Sequence, residues 1–305
     1  NNRSIFDSFH DPAVAEGLAG RLAGMSLPRP LTLMHVCGTH EHSIAKAGIR
    51  SMLPEGLRLI AGPGCPVCVC PAADIDMAVQ AAKRENTTVA TFGDMFRVPS
   101  GDTSLEMMKA DGRDVRVVYS PLDALKEAME EPGREVIFVA VGFETTAGPI
   151  AASMRSGVPE NFSIIPSMRL VPPALEFLLE NGKESIDGFI LPGHVSTVLG
   201  REGYLFLEER YDVPAVISGF EPVDLLRGIV ELAGMAAGER PAGVVNLYKR
   251  VVSEEGNAKA KELMEEVFEP APSNWRGIGS IPRSGLSLRK RYEHLDATAR
   301  FGLEP

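Results

Sequence analysis

Short apolar runs, each followed by a Gly- or Pro-rich turn and then by helical periodicity, recur through most of this 305-residue sequence. The expected strands are 31–36, 57–61, 88–92, 115–119, 136–141, 162–166, 187–191, 214–218 and 243–247. Val136-Ile137-Phe138-Val139-Ala140-Val141 is apolar without interruption, which suits a strand buried on both faces of a parallel sheet. The intervening stretches Ile75 to Arg84, Pro121 to Glu130, Pro172 to Glu180, Val223 to Ala236 and Glu254 to Phe268 read as helices. Strand alternating with helix predicts α/β layers joined by right-handed crossovers. The expected plan is two parallel-sheet, Rossmann-like α/β domains facing a central cleft. They divide at Glu130-Glu131-Pro132-Gly133-Arg134, giving domains 1–131 and 132–269. From Pro270 the rhythm stops: 269–279 reads as loop, and 270–305 as a partial C-terminal extension without a clear strand, the start of a third region cut short.

Composition narrows the function classes. With 44% apolar and 24% charged residues this is an ordinary globular chain. A net charge of −10 argues against nucleic acid or an anionic membrane as the main partner. No apolar run approaches the ~20 residues that span a bilayer, and no signal peptide is visible at Asn1-Asn2-Arg3-Ser4-Ile5-Phe6. The expected compartment is the cytoplasm, where few and closely spaced cysteines stay reduced. No Walker-type phosphate loop is present.

Chemistry gathers at strand ends. Six turns combine Gly with polar or reactive residues: Cys37-Gly38-Thr39-His40-Glu41-His42, Gly62-Pro63-Gly64-Cys65-Pro66-Val67-Cys68, Gly93-Asp94, Gly142-Phe143-Glu144-Thr145-Thr146, Pro192-Gly193-His194 and Gly219-Phe220-Glu221. Ligands of open parallel sheets bind outside the carboxyl ends of the strands. All four cysteines lie between positions 37 and 70. Sulfur beside imidazole suits iron, copper or zinc, and Cys65-x-x-Cys68 equally suits reversible disulfide chemistry. Cys37, followed by His40 and His42, is the leading thiol for metal binding or nucleophilic attack. Cys70 reads as a buried spectator, His35 as a packed strand residue, and His10 and His294 as structural. Thr145 and Thr146 also suit capping a helix that starts near Pro149. Asp94, Glu144 and Glu221 also suit turns or helix dipoles. Three chemistries stay open: a metal scaffold, a dithiol oxidoreductase, and a zinc protein using Cys37, His40, Cys65 and Cys68. A plain binding domain with incidental thiols is the fourth alternative.

Taken together, these turns resemble the HypD family, the scaffold factor in maturation of nickel–iron hydrogenases. The resemblance implies a scaffold for the iron–dicyanide–carbonyl unit, Fe(CN)2CO, acting with the small HypC chaperone and receiving cyanide from HypE. It implies that Cys37 ligates iron shared with HypC, that Cys65 and Cys68 form a redox-active dithiol, and that His40, Glu41, His42, Asp94, Glu144, Thr145, His194 and Glu221 line the same cleft. It also implies a [4Fe–4S] cluster in a cysteine-rich C-terminal region. Such a cluster needs about four thiolates, and no cysteine follows Cys70.

Overall fold

A computed structural model describes residues 11–155, 157–182 and 185–304. His10 lies outside the described residues. The strands are β1 (Leu31–His35), β2 (Leu57–Ala61), β3 (Thr87–Phe92), β4 (Val115–Val118), β5 (Glu135–Gly142), β6 (Phe162–Met168), β7 (Gly188–Pro192), β8 (Ala215–Ser218), β9 (Val244–Asn246), β10 (Phe268–Trp275) and β11 (Gly279–Leu288). All nine strands expected from the apolar runs are present, each within two residues of its expected ends. They pair into two parallel sheets, of order β2-β1-β7-β8-β9 and β4-β3-β5-β6.

The chain forms two compact units. The first comprises the chain up to Cys65 together with Leu175–Asn257, and the second Pro66–Ala174 with the chain from Ala258 onward. This differs from the sequential division at 131/132, which falls between β4 and β5, two strands of one sheet. β4 and β5 both hydrogen-bond β3, and β7 returns to β1 across more than 150 residues. Apolar runs disclose strands but not which strand each one pairs with.

Each sheet is packed by the helices the periodicity indicates. In the first unit Leu31, Leu33, Ile190 and Val216 pack with Leu225, Ile229 and Leu232 of the helix Pro222–Ala236. That helix approaches so closely that a Cβ on Gly188 would lie 2.7 Å from Leu232 Cδ1. In the second unit Val89, Ile137, Val139 and Ile165 pack with Ile75, Ala78 and Val79 of the helix Ala72–Lys83. β5 is buried along nearly its whole length, as its unbroken apolar run requires.

The stretch expected as a loop after Glu269 is instead an antiparallel hairpin, β10–β11, within the second unit. Its burial alternates along β10, the pattern of a ribbon with one face covered. Pro270 and Pro272 mask this signal in the sequence, although proline is tolerated on edge strands. Trp275 is fully buried at the hairpin end, stacks on Phe143 with centroids 6.0 Å apart, and donates from Nε1 to Ser284 Oγ at 2.8 Å. Residues 270–304 thus belong to the second unit rather than to the start of a third region.

Candidate functional site

The strand order of the first sheet reverses between β1 and β7, since β2 lies on one side of this pair and β8 and β9 on the other. Such a switch point opens a crevice at the carboxyl ends of the strands. Cys37 follows β1, and His194 follows β7. In the second sheet the reversal falls between β3 and β5, which are followed by Asp94 and Glu144.

Backbone contact fixes the thiols of the first unit. The turn after β2 folds back on β1: Gly62 N–H donates to His35 O at 2.8 Å, and Gly38 N–H donates to Gly64 O at 3.1 Å. Gly64 lies so close that a Cβ there would come within 2.0 Å of the Val36 carbonyl carbon. A Cβ on Gly38 would stand 3.4 Å from Cys65 Cβ. The Cys37 and Cys65 turns are therefore in direct contact. Cys37 is a free thiol, buried, in extended conformation at the N-cap of the helix Gly38–Lys46, and its side chain makes no capping bond. Unpaired N–H groups at a helix start suit anionic groups.

Glu41 ties four elements together. Its Oε2 lies 2.6 Å from His35 Nε2, Arg50 donates from Nη1 and Nη2 at 2.9 and 2.7 Å, and Arg50 Nε donates to Leu59 O at 3.2 Å. The Arg50 hydrogen bonds hold the Glu41 carboxyl below its ordinary range, while burial lowers His35 despite its bond to Glu41. His35 is packed within the strand, as its position suggests, and His42 is exposed. His40 does not face solvent. It is fully buried, its ring nitrogens have no hydrogen-bond partner, and its ring lies 5.0 Å from that of Phe220. Burial pushes its pKa down to about 3.

Phe220 organises the neighbouring turns, a role that sequence reading missed. His194 is exposed and stacks on it at 4.1 Å, and Tyr248 meets it edge-on at 6.0 Å. Partial burial lowers the His194 pKa. Glu221 is half-buried at the N-cap of the helix Pro222–Ala236. Arg250 covers the Tyr248 ring at 4.4 Å and pairs with Asp224.

In the second unit Asp94 is exposed and Thr145 half-buried. Glu144 is fully buried. Its Oε1 accepts from Val171 N–H at 2.9 Å, its Oε2 has no partner, and burial pushes its pKa up to about 7. Glu144 opens the helix Glu144–Arg155, which encloses Pro149, so the helix starts before the two threonines rather than near the proline.

Cys65 and Cys68 are oxidised to a disulfide, whereas Cys37 and Cys70 are free. The single helical turn Pro66–Val69 carries Cys68 and directly follows Cys65. Arg276, at the hairpin turn, grips its end: Arg276 N–H donates to Val69 O at 2.8 Å and Nε to Cys70 O at 2.7 Å. Cys70 is buried 3.6 Å from Ser167 Oγ, and burial raises its pKa. Behind it the buried Arg169 donates to Asp74 Oδ2 at 2.7 Å, Ser167 O at 2.7 Å and Asn274 O at 2.9 Å. Among the described residues no three His, Cys, Asp or Glu side chains converge to hold a metal ion. With the dithiol oxidised and His40 packed against Phe220, the four-ligand zinc set is not assembled. His294 is exposed on the turn Lys290–Leu295.

A family model described as "HypD: Hydrogenase formation hypA family" matches residues 13–305. Hydrogenase maturation factor HypD2 of Bradyrhizobium diazoefficiens is 43% identical, the alignment covering 97% of this chain and 81% of that protein. Hydrogenase maturation factor HypD of Azotobacter vinelandii is 44% identical over 98% of this chain and 81% of its own length. The HypD of Rhodobacter capsulatus is 42% identical over 97% and 81%.

Proposed function

This chain belongs to the HypD family of hydrogenase maturation factors, and from that membership we propose that it is the scaffold on which the Fe(CN)2CO unit of nickel–iron hydrogenase is assembled, with the iron held by Cys37. The supporting observation is the free Cys37 thiol at the switch point of the first sheet, in backbone contact with the Cys65 turn. A soft thiolate is a strong donor to iron. One protein thiolate leaves iron coordination open, which accommodates a ligand from a HypC-type partner and the incoming diatomics, cyanide arriving from a HypE-type donor.

Cys65 and Cys68 are the proposed redox pair. Closing their disulfide releases two electrons and two protons, and opening it takes them up, at a position adjoining Cys37. Glu41, His35 and Arg50 brace the helix that begins at Cys37. With two cysteines joined and two free, this chain has no four-thiolate set for a [4Fe–4S] cluster, and no step is assigned to one. Among the described residues no helix is long and apolar enough to cross a membrane, and the proposed place of action is the cytoplasm.

Infrared spectroscopy of the protein purified with its small partner tests the reading. Cyanide and carbonyl stretches are expected in the parent and absent from Cys37→Ala, and their persistence in that variant would exclude Cys37 as the iron ligand. The oxidised Cys65–Cys68 pair favours a second reading, a thiol–disulfide oxidoreductase. Turnover of a generic disulfide substrate, with Cys65 and Cys68 as the working pair and Cys37 as helper, would support that alternative.

A further inference from the structure

Beside the β9 end of the first sheet lies a group of cations to which the scaffold reading gives no task. Arg201, Arg227, Lys249 and Arg250, with Glu254 and the β9 backbone, line a cavity of about 540 Å³. All lie in the first unit, in a chain of net charge −10. Two are engaged: Arg201 pairs with Glu254 at 2.5 Å and donates to Val244 O at 3.3 Å, and Arg250 pairs with Asp224. Arg227 and Lys249 are exposed and have no ion-pair partner among the described residues.

The cavity wall is rigidly built. Gly200 and Gly256 have φ of +72° and +74°, and each approaches the other's backbone so closely that a Cβ on either would lie within 2.4 Å of it. Glu202 N–H donates to Glu254 O and Asn257 N–H to Val198 O, both at 3.0 Å. The buried Asn246 donates to Val252 O at 2.8 Å and accepts from Tyr248 N–H at 2.9 Å. The loop carrying Lys249, Arg250 and Glu254 is thus held at both ends, which lowers the ordering entropy lost when a ligand binds.

Arginine forks and ammonium groups recognise carboxylates and phosphates. Here the cations come from three separate elements around a wide cavity, an arrangement suited to several spaced carboxylates rather than one compact ion. The net charge of −10 disfavours an acidic chain over the molecule as a whole, so local clustering of cations is what would select this patch. We propose that the cavity receives an acidic peptide segment of a partner protein. This inference is independent of the iron-scaffold reading.

The test uses the full chain and a fluorescein-labelled peptide of alternating Glu and Gly, followed by fluorescence anisotropy at low salt. Saturable binding is expected, weakened about tenfold or more by Arg227→Glu with Lys249→Glu and less than about twofold by Lys126→Glu, an exposed cation of the other unit. Inorganic phosphate at equal ionic strength should compete poorly, an observation that needs no variant. Equal losses in both variants, efficient displacement by phosphate, or no saturable binding would each overturn the proposal, the second by assigning the cavity to a small anion.

Discussion

A Cβ on Gly64 would lie 2.0 Å from the carbonyl carbon of Val36 and 2.2 Å from the amide nitrogen of Cys37. No rotamer change relieves a clash with backbone, so Gly64→Ala must displace the turn that carries Cys65. The expected loss is about 2–3 kcal/mol of stability, the upper range for overpacking, read from the denaturation midpoint. A variant as stable as the parent would refute this close approach. Arg169 presents the opposite problem, a buried guanidinium whose partners lose their donor when it is removed. Arg169→Met leaves Asp74 Oδ2 and the carbonyls of Ser167 and Asn274 short of hydrogen bonds, and about 3–5 kcal/mol should be lost. The fluorescence of Trp275, the only tryptophan, reports unfolding of this unit. At this scale the sequence displayed Cys37 and Cys65 as candidates, because thiols are rare here, four in the chain, and fall together in two Gly-containing turns. It hid the supports: Arg50, Phe220 and Arg169 are ordinary residue types whose importance comes from distant partners.

At the level of elements, the turn Pro66–Val69 and the β10–β11 hairpin are linked through Arg276. Removing its side-chain bond to Cys70 O should loosen the segment bearing Cys68. Arg276→Ala is expected to speed reduction of the disulfide by dithiothreitol about fivefold, the equivalent of one hydrogen bond of about 1 kcal/mol. An unchanged reduction rate would show that the hairpin does not steady the bridge. The helices and parallel strands were legible because apolar periodicity follows directly from burial on one stripe or two faces. The hairpin was not, since its alternation is broken by proline and its covered face is supplied by β6, more than 100 residues earlier. Leu170 N–H donates to Ser284 O at 2.8 Å at that junction.

Over the whole molecule, two buried titratable groups set opposing pH dependences. His40 has its pKa lowered from 6.5 to about 3, so the unfolded chain binds the extra proton between those values. Its contribution is present above pH 6.5 and is lost as pH falls toward 3. Glu144 has its pKa raised from 4.5 to about 7, so its contribution is present below pH 4.5 and is lost as pH rises through 7. Between pH 4.5 and 6.5 the two slopes cancel. Glu144→Gln should therefore make stability rise more steeply with pH over that window than in the parent, and His40→Phe should make it fall, as measured by urea denaturation at successive pH values. Parallel profiles for parent and variants would refute both assignments. Apolar runs and helical periodicity determined the α/β class, and the strand-end turns determined which residues were candidates for chemistry, because both are local consequences of burial and backbone freedom. Only the tertiary structure decided that β7 returns to β1. That pairing places the turns of Cys37 and His194 together at a switch point and leaves His40 buried against Phe220, since strand neighbours are chosen by packing between segments far apart in the chain.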